Sequence, residues 1–287
     1  MSNFQILTDS GSDLSQAILD QLNVLRTSLT VNFKGQTLAD SVDEGIKDIY
    51  NGLRDGEAAT SSAINPETWK QAMEPSLKEG KDLLVIAFSS GLSTTYQSAV
   101  IAASELQETY PDRQIRVVDS LCASLGQGLL VWYAAKKRDE GLSLDQLTTW
   151  LEENKLHLCH WFTVDDLKYL KRGGRVSAAT ALVGTMLNIK PVMRVDDEGH
   201  LVKFSTARGR KASIKAMADK LGETGIPGAN DTCFICHGDC IDDAKYLESI
   251  IKEQYGVKEV HIGYTGAVIG SHSGPGTLAL FFLGSQR

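Results

Sequence analysis

Three times in its first 125 residues the chain repeats one local pattern: a short apolar run, a turn of small hydroxyl residues, then apolar residues at helical spacing. Phe4 to Leu7 runs into Thr8-Asp9-Ser10-Gly11-Ser12-Asp13, after which Leu14, Ile18, Leu19 and Leu22 recur at helical intervals. Leu83 to Phe88 runs into Ser89-Ser90-Gly91-Leu92-Ser93, and a helix through Tyr96, Val100, Ile101 and Leu106 stops before Pro111. Ile115 to Val118 ends at Asp119-Ser120, and the next helix carries Leu129, Leu130, Trp132 and Tyr133. A strand that is apolar at every position is buried on both faces, so this alternation implies a mostly parallel sheet covered by helices on both sides. Ligands of such sheets bind beyond the carboxyl ends of the strands, and here all three ends are rich in hydroxyls. At the first turn, Asp13 and Gln16 fit the two ends of a capping box.

The second half has a different texture. His157 to Val164 reads as a strand, Lys168 to Arg175 as a basic, glycine-containing turn, and Ala178 to Leu187 as an apolar helix. Ile189–Val195 and Leu201–Thr206 flank Asp196-Asp197-Glu198-Gly199-His200, the pattern of a hairpin. Helices and strands then alternate up to Thr277–Leu283. With 287 residues, the expectation is an α/β protein of two domains. Residues 1–153 form a mostly parallel three-layer α/β/α domain. Residues 154–287 form a mixed-sheet α/β domain, after a helix carrying Leu147, Trp150 and Leu151.

A net charge of −7 and a pI near 5.4 argue against general nucleic-acid or anionic-membrane binding, which need a basic surface. The longest apolar run, Leu83 to Phe88, is far too short to span a bilayer. No basic segment followed by an apolar core opens the chain, so the expectation is a cytoplasmic protein without a signal peptide. Five cysteines, an odd number, then read as reduced thiols. Cys233-Phe234-Ile235-Cys236-His237 matches a haem-attachment spacing, and Cys240 adds a possible metal ligand. The same stretch reads as a buried strand, in which Cys233 and Cys236 face opposite sides of the sheet. No haem, metal or other cofactor is therefore expected, and His157, Cys159 and His160 are read the same way.

Gly91-Leu92-Ser93-Thr94-Thr95 is similar to a nucleophile elbow but lacks its second glycine. Ser93 stands where a strand turns into a helix, which suits either an N-cap hydroxyl or an anion site at the helix start. In Gly270-Ser271-His272-Ser273-Gly274-Pro275-Gly276, glycines let backbone approach a ligand. His272 there is either a carboxylate donor or a solvent-facing side chain of a tight connection. Thr60-Ser61-Ser62 reads as a polar loop before the helix start Asn65-Pro66-Glu67. The basic segments Lys168–Arg175 and Arg208–Lys211 are either a solvated face or a surface for phosphate or a partner.

TDSGSDL, TSSAINPE, SSGLSTTYQSA, VVDSLCASLGQGLL, LKYLKRGGRVS and IGSHSGPGTLALFF, in that order along nearly the whole chain, resemble the DegV family. The resemblance implies a two-domain α/β fold holding one long-chain fatty acid between its halves, the acyl chain in an apolar tunnel. It implies that Thr60, Ser61, Ser93 and His272 bind the carboxylate, with Gly91, Ser273 and Gly274 at the pocket. It also implies a non-catalytic carrier that serves a separate fatty-acid kinase, and on that reading Arg172, Arg175, Arg208 and Arg210 form the phosphate or docking surface. The chain departs from the usual family pattern in TSSAI, where glutamine and proline commonly follow the serine, and at Thr94, where glycine or alanine is common. Two other readings of the residues are a serine hydrolase using Ser93 and His272 with Asp9 or Asp119 as orienter, and a binder of another lipid or of a phosphorylated metabolite.

Overall fold

A computed structural model describes residues 4–177 and 188–287; the helix expected over Ala178–Leu187 lies outside them. The apolar runs of the first half form β1 (Phe4–Asp9), β6 (Asp82–Ala87) and β7 (Ile115–Asp119), which with β2 (Val24–Thr27) make a four-stranded, all-parallel sheet in the order β2-β1-β6-β7. Burial on both faces explains the uninterrupted apolar run of β6. In β6, Leu83, Val85 and Ala87 enter one core while Leu84 and Ile86 enter another. Truncating a leucine at such a site typically costs about 2–5 kcal/mol.

On one face lie α2 (Ile46–Arg54), α3 (Pro66–Lys78) and α4 (Thr95–Thr109); against the other pack α5 (Leu125–Asp139) and α6 (Leu144–Asn154). Local chemistry sets these helix starts. The Asn65 side chain accepts from Thr68 N at 2.9 Å with Pro66 in the first turn, where proline's missing N–H costs nothing. Ser143 and Gln146 close a full capping box at α6. The box expected at Asp13 does not form. Ser15 caps α1 (Gln16–Gln21), and Asp13 is turned into the left-handed region at φ 52°.

The second half builds a six-stranded mixed sheet, β10-β9-β8-β13-β11-β12. Its strands are β8 (Leu158–Thr163), β9 (Ile189–Val195), β10 (Leu201–Arg208), β11 (Thr232–His237), β12 (Glu259–Tyr264) and β13 (Leu278–Leu283). The predicted hairpin is β9–β10. Alternation is strict in β11: Cys233 and Ile235 join the core under α8 (Arg210–Thr224) and α9 (Ile241–Tyr255), whereas Phe234 and Cys236 face α5. The two cysteines thus point to opposite sides of the sheet, as their spacing required.

Three segments differ from expectation. Thr60-Ser61-Ser62 is not a loop but part of β5 (Ala59–Ser62), which pairs with β3 (Thr30–Phe33); β3 also pairs with β4 (Gln36–Ala39) in a small antiparallel sheet. The basic turn begins as the short helix α7 (Lys168–Arg172), and the His272 turn is a helix, α10 (Ala267–Ser273), followed by the turn into β13. Among the described residues, no helix is long and apolar enough to cross a membrane.

Candidate binding site

The carboxyl ends of β1, β6 and β7 open towards the inner face of the mixed sheet, and an apolar cavity of about 360 Å³ lies between them, within the roughly 300–1,000 Å³ typical of ligand pockets. Leu29, Phe88 and Leu92 line it from the parallel-sheet side, and Phe162, Ala279 and Phe281 from the mixed sheet. Val268, Ile269 and His272 of α10 form a further wall.

One stretch of the wall is polar, and its residues are tied together. Strand alternation turns Ser61 inwards beside Val31, while Thr60, paired with Asn32, is exposed on the other face. The Ser61 hydroxyl lies 2.7 Å from His272 Nε2, joining β5 to α10. Behind the imidazole, Gly173 leaves room for the ring, since a Cβ there would come within 2.1 Å of His272 Nδ1. Two residues on, Arg175 donates from Nε and Nη2 to the Leu92 carbonyl at 3.3 and 3.1 Å. That carbonyl precedes Ser93, whose Oγ accepts from Thr95 N at 3.3 Å and sits 2.9 Å from Thr95 Oγ1. Ser93 is therefore a turn hydroxyl before α4, with Thr94 in the cap position, and it still lines the cavity.

Burial, then the charges of Arg175 and Arg172, push the His272 imidazole down to about 4, so it is neutral near pH 7. A carboxylate placed among Ser61, Ser93, Arg175 and His272 would meet hydroxyl and N–H donors and a fixed positive charge, and charge-assisted hydrogen bonds of this kind are the stronger ones. A second polar group in the wall, Ser124, Cys236 and Thr265, is satisfied internally: both hydroxyls lie 3.1 Å from Cys236 Sγ.

Several expected site residues fall elsewhere. Thr60 faces away. Gly91 does not line the cavity; a Cβ there would meet the Glu198 carbonyl at 2.6 Å, so it lets the β9–β10 turn pack close. Gly274, at φ 82°, lies under the Tyr169 ring. Ser273 does line the cavity, buried, with no partner for its hydroxyl among the described residues. The arginines are not one surface: Arg175 is in the wall, Arg172 is exposed beside Tyr169, and Arg208 is exposed at the end of β10. Arg210 is engaged by Asp243 at 2.9 Å and Asp165 at 3.8 Å.

Nor does a hydrolase triad assemble. His272 Nε2 bonds Ser61 rather than Ser93, Asp9 is taken up by Gly11 N and Phe88 N, and Asp119 by Ser90 N and Leu121 N. Arg175, expected on a phosphate or docking surface, lies in the cavity wall, and His160, expected to be structural, lines the cavity against Phe281. Ala63 and Thr94, at the chain's two departures from the family pattern, line it too.

A parallel sheet whose carboxyl edge is roofed by a mixed sheet, with an interior apolar cavity headed by hydrogen-bond donors, defines a distinct class of α/β proteins. The chain belongs to the DegV family: a model described as "Uncharacterised protein, DegV family" matches residues 3–285. A DegV domain-containing protein of Clostridium perfringens is 45% identical, the match covering 100% of this chain and 99% of that one. Among solved structures, the chain is similar to a DegV family protein of Thermus thermophilus described as binding fatty acid, with 32% identity, a TM-score of 0.88, and coverage of 98% and 99%. It is also similar to DegV of Bacillus subtilis, described as a fatty acid binding protein, with 28% identity, a TM-score of 0.84, and coverage of 99% and 100%.

Proposed function

We propose that this protein is a carrier that holds one long-chain fatty acid and presents its carboxylate to a separate fatty-acid kinase in the cytoplasm. The observation that carries the reading is the Ser61–His272 pair, 2.7 Å apart, in the wall of an apolar cavity that Arg175 also lines. The similar structures described as fatty-acid-binding proteins support it. On this reading the acyl chain lies along Phe162, Phe281 and Val268, where burial of each CH₂ contributes about 0.8 kcal/mol. The carboxylate takes donors from Ser61, Ser93, Arg175 and His272. Residues 1–153 and 154–287 act as the two domains that close on the ligand.

The carrier contributes binding and orientation and no nucleophile. The carboxylate oxygen attacks the terminal phosphorus of the kinase's nucleoside triphosphate, forming the acyl phosphate as the bond to the bridging oxygen breaks and the nucleoside diphosphate leaves. Exposed Arg172, beside His272, is placed to meet the added negative charge. Delipidated protein should bind palmitate with one-to-one stoichiometry in native mass spectrometry and calorimetry, and His272→Ala should weaken that binding at least tenfold. Wild-type protein that takes up no fatty acid would overturn the reading.

A further inference from the structure

One buried cation has no part in the proposed carrier function. Arg287 is 8% exposed, and its guanidinium donates to four separate segments. Nε reaches the Leu158 carbonyl at 3.0 Å and Nη1 the Asp196 carbonyl at 2.9 Å, while Nη2 reaches the Lys155 carbonyl and Cys122 Sγ, each at 3.1 Å. All four partners are neutral: three carbonyls, and a thiol that burial pushes up to about 11. Desolvating a charge is costly, and here hydrogen bonds alone offset it. Only the planar fork of arginine can donate in so many directions at once. The Lys155 and Leu158 contacts seat the guanidinium at the entry to β8, and Arg194 Nη1 on β9 donates to the Arg287 carbonyl at 2.9 Å.

The other two contacts both lead to Ser89. Asp196 opens the turn of the β9–β10 hairpin, and its carbonyl accepts from Gly199 N at 3.0 Å as well as from Arg287. The Gly199 carbonyl in turn accepts from the Ser89 hydroxyl at 3.0 Å. From the opposite side, the carbonyl of Cys122 accepts from Ser89 N at 3.1 Å. Ser89 is fully buried and passes the constraint forward, since its own carbonyl accepts from Leu92 N and Ser93 N, both at 3.1 Å. We infer that Arg287 is a positioning residue: it holds the β9–β10 turn and the Cys122 segment against Ser89, and thereby fixes Ser93 for the ligand carboxylate. The role given to Ser93 rests on the fatty-acid reading.

The packing around the turn agrees. Asp196 Oδ1 accepts from Glu198 N at 3.2 Å and His200 N at 2.8 Å, so the turn is tied to itself and a hold on Asp196 is a hold on the whole turn. Glycines stand where the two turns meet. A Cβ on Gly199, at φ 79°, would sit 2.2 Å from Ser89 Oγ, and one on Gly91 would sit 2.6 Å from the Glu198 carbonyl. Their missing side chains let the two backbones approach. Val195 and Leu201, which flank the turn and line the cavity, pair with each other in the ladder of β9 and β10. That pairing does not pass through Arg287, so loss of the guanidinium loosens the polar head of the cavity more than its apolar wall.

The test compares palmitate with hexadecanol, its uncharged analogue, by titration calorimetry. Arg287→Ala should weaken palmitate binding about tenfold or more, the range expected for a misplaced hydrogen bond to a charged group, and hexadecanol binding only about threefold. Equal losses for the two ligands would make Arg287 a purely structural residue and overturn the inference, as would wild-type affinity for palmitate. In Ser93→Ala protein, adding Arg287→Ala should cost at most about twofold more in palmitate affinity, because residues that act through one another are not additive. Full additivity would overturn the route through Ser93. Arg287→Lys keeps the charge but not the fork. It should show the same split between the ligands, and it decides the question where Arg287→Ala does not fold. Wild type that binds no palmitate would instead overturn the carrier reading, and this inference with it.

Discussion

Replacing His272 by glutamine separates its electrostatic role from its shape. In the empty protein the imidazole is pushed from its usual 6.5 down to about 4 by burial and by Arg175 and Arg172. The unfolded chain therefore takes up a proton first as pH falls, and the folded state loses stability from about pH 6.5 down to about pH 4. A shift of about 2.5 units, at roughly 1.36 kcal/mol each, makes that loss about 3 kcal/mol. His272→Gln keeps an N–H donor for Ser61 or a carboxylate but has no such titration. Urea denaturation followed by circular dichroism at about pH 7, 6 and 5 should show wild type falling relative to the variant by about 0.7 kcal/mol over the first pH unit and about 1.2 kcal/mol over the second. Palmitate should shrink that difference, because a bound carboxylate offsets the arginine charges and favours the imidazolium. Parallel pH curves for the two empty proteins would refute the burial and charge argument for this histidine.

Ser93→Ala should weaken palmitate binding by about 1.5–3 kcal/mol, the worth of a hydrogen bond to a charged group, in calorimetry; a lowered melting temperature with unchanged affinity would make Ser93 a turn residue only. Thr60→Ala should leave affinity within about twofold, since its side chain faces away from the cavity, whereas Ser61→Ala should weaken binding by a similar 1.5–3 kcal/mol. Gly173→Ala places a methyl in the space of His272 Nδ1 and should cut affinity at least tenfold, read by palmitate titration of the folded variant. Arg172→Glu should slow phosphorylation by an added kinase while sparing palmitate uptake, and Arg208→Glu should change neither; equal kinase turnover for wild type and Arg172→Glu would leave Arg172 without a partner role.

Local signals carried much of the architecture. β6 is apolar from Leu83 to Ala87 because both of its faces are buried, and α4 ends just before Pro111 because proline cannot continue the helix. Cys233 and Cys236 could be excluded as a shared ligand pair from strand alternation alone. The small antiparallel sheet was harder to see, because β4 is exposed at all of its positions and shows no apolar alternation. The same blind spot made a loop of Thr60-Ser61-Ser62, whose polar residues form a strand only because β3 supplies their hydrogen bonds.

The candidate site divides along the same line. Hydroxyls at the strand ends, a histidine on a glycine-rich segment and the family resemblance were all visible in the residues, because side-chain chemistry and short-range turn geometry are local properties. Which of Thr60 and Ser61 faces the cavity depends on the register of β5 against β3. Whether Arg175 is surface charge or cavity wall depends on the Leu92 carbonyl, 83 residues away. The pairing of Ser61 with His272 spans 211 residues, and that of Asp40 with Val268 N spans 228. No local pattern encodes such distances, since they arise from packing two sheets about one cavity, and it is that packing that desolvates His272 and Asp40.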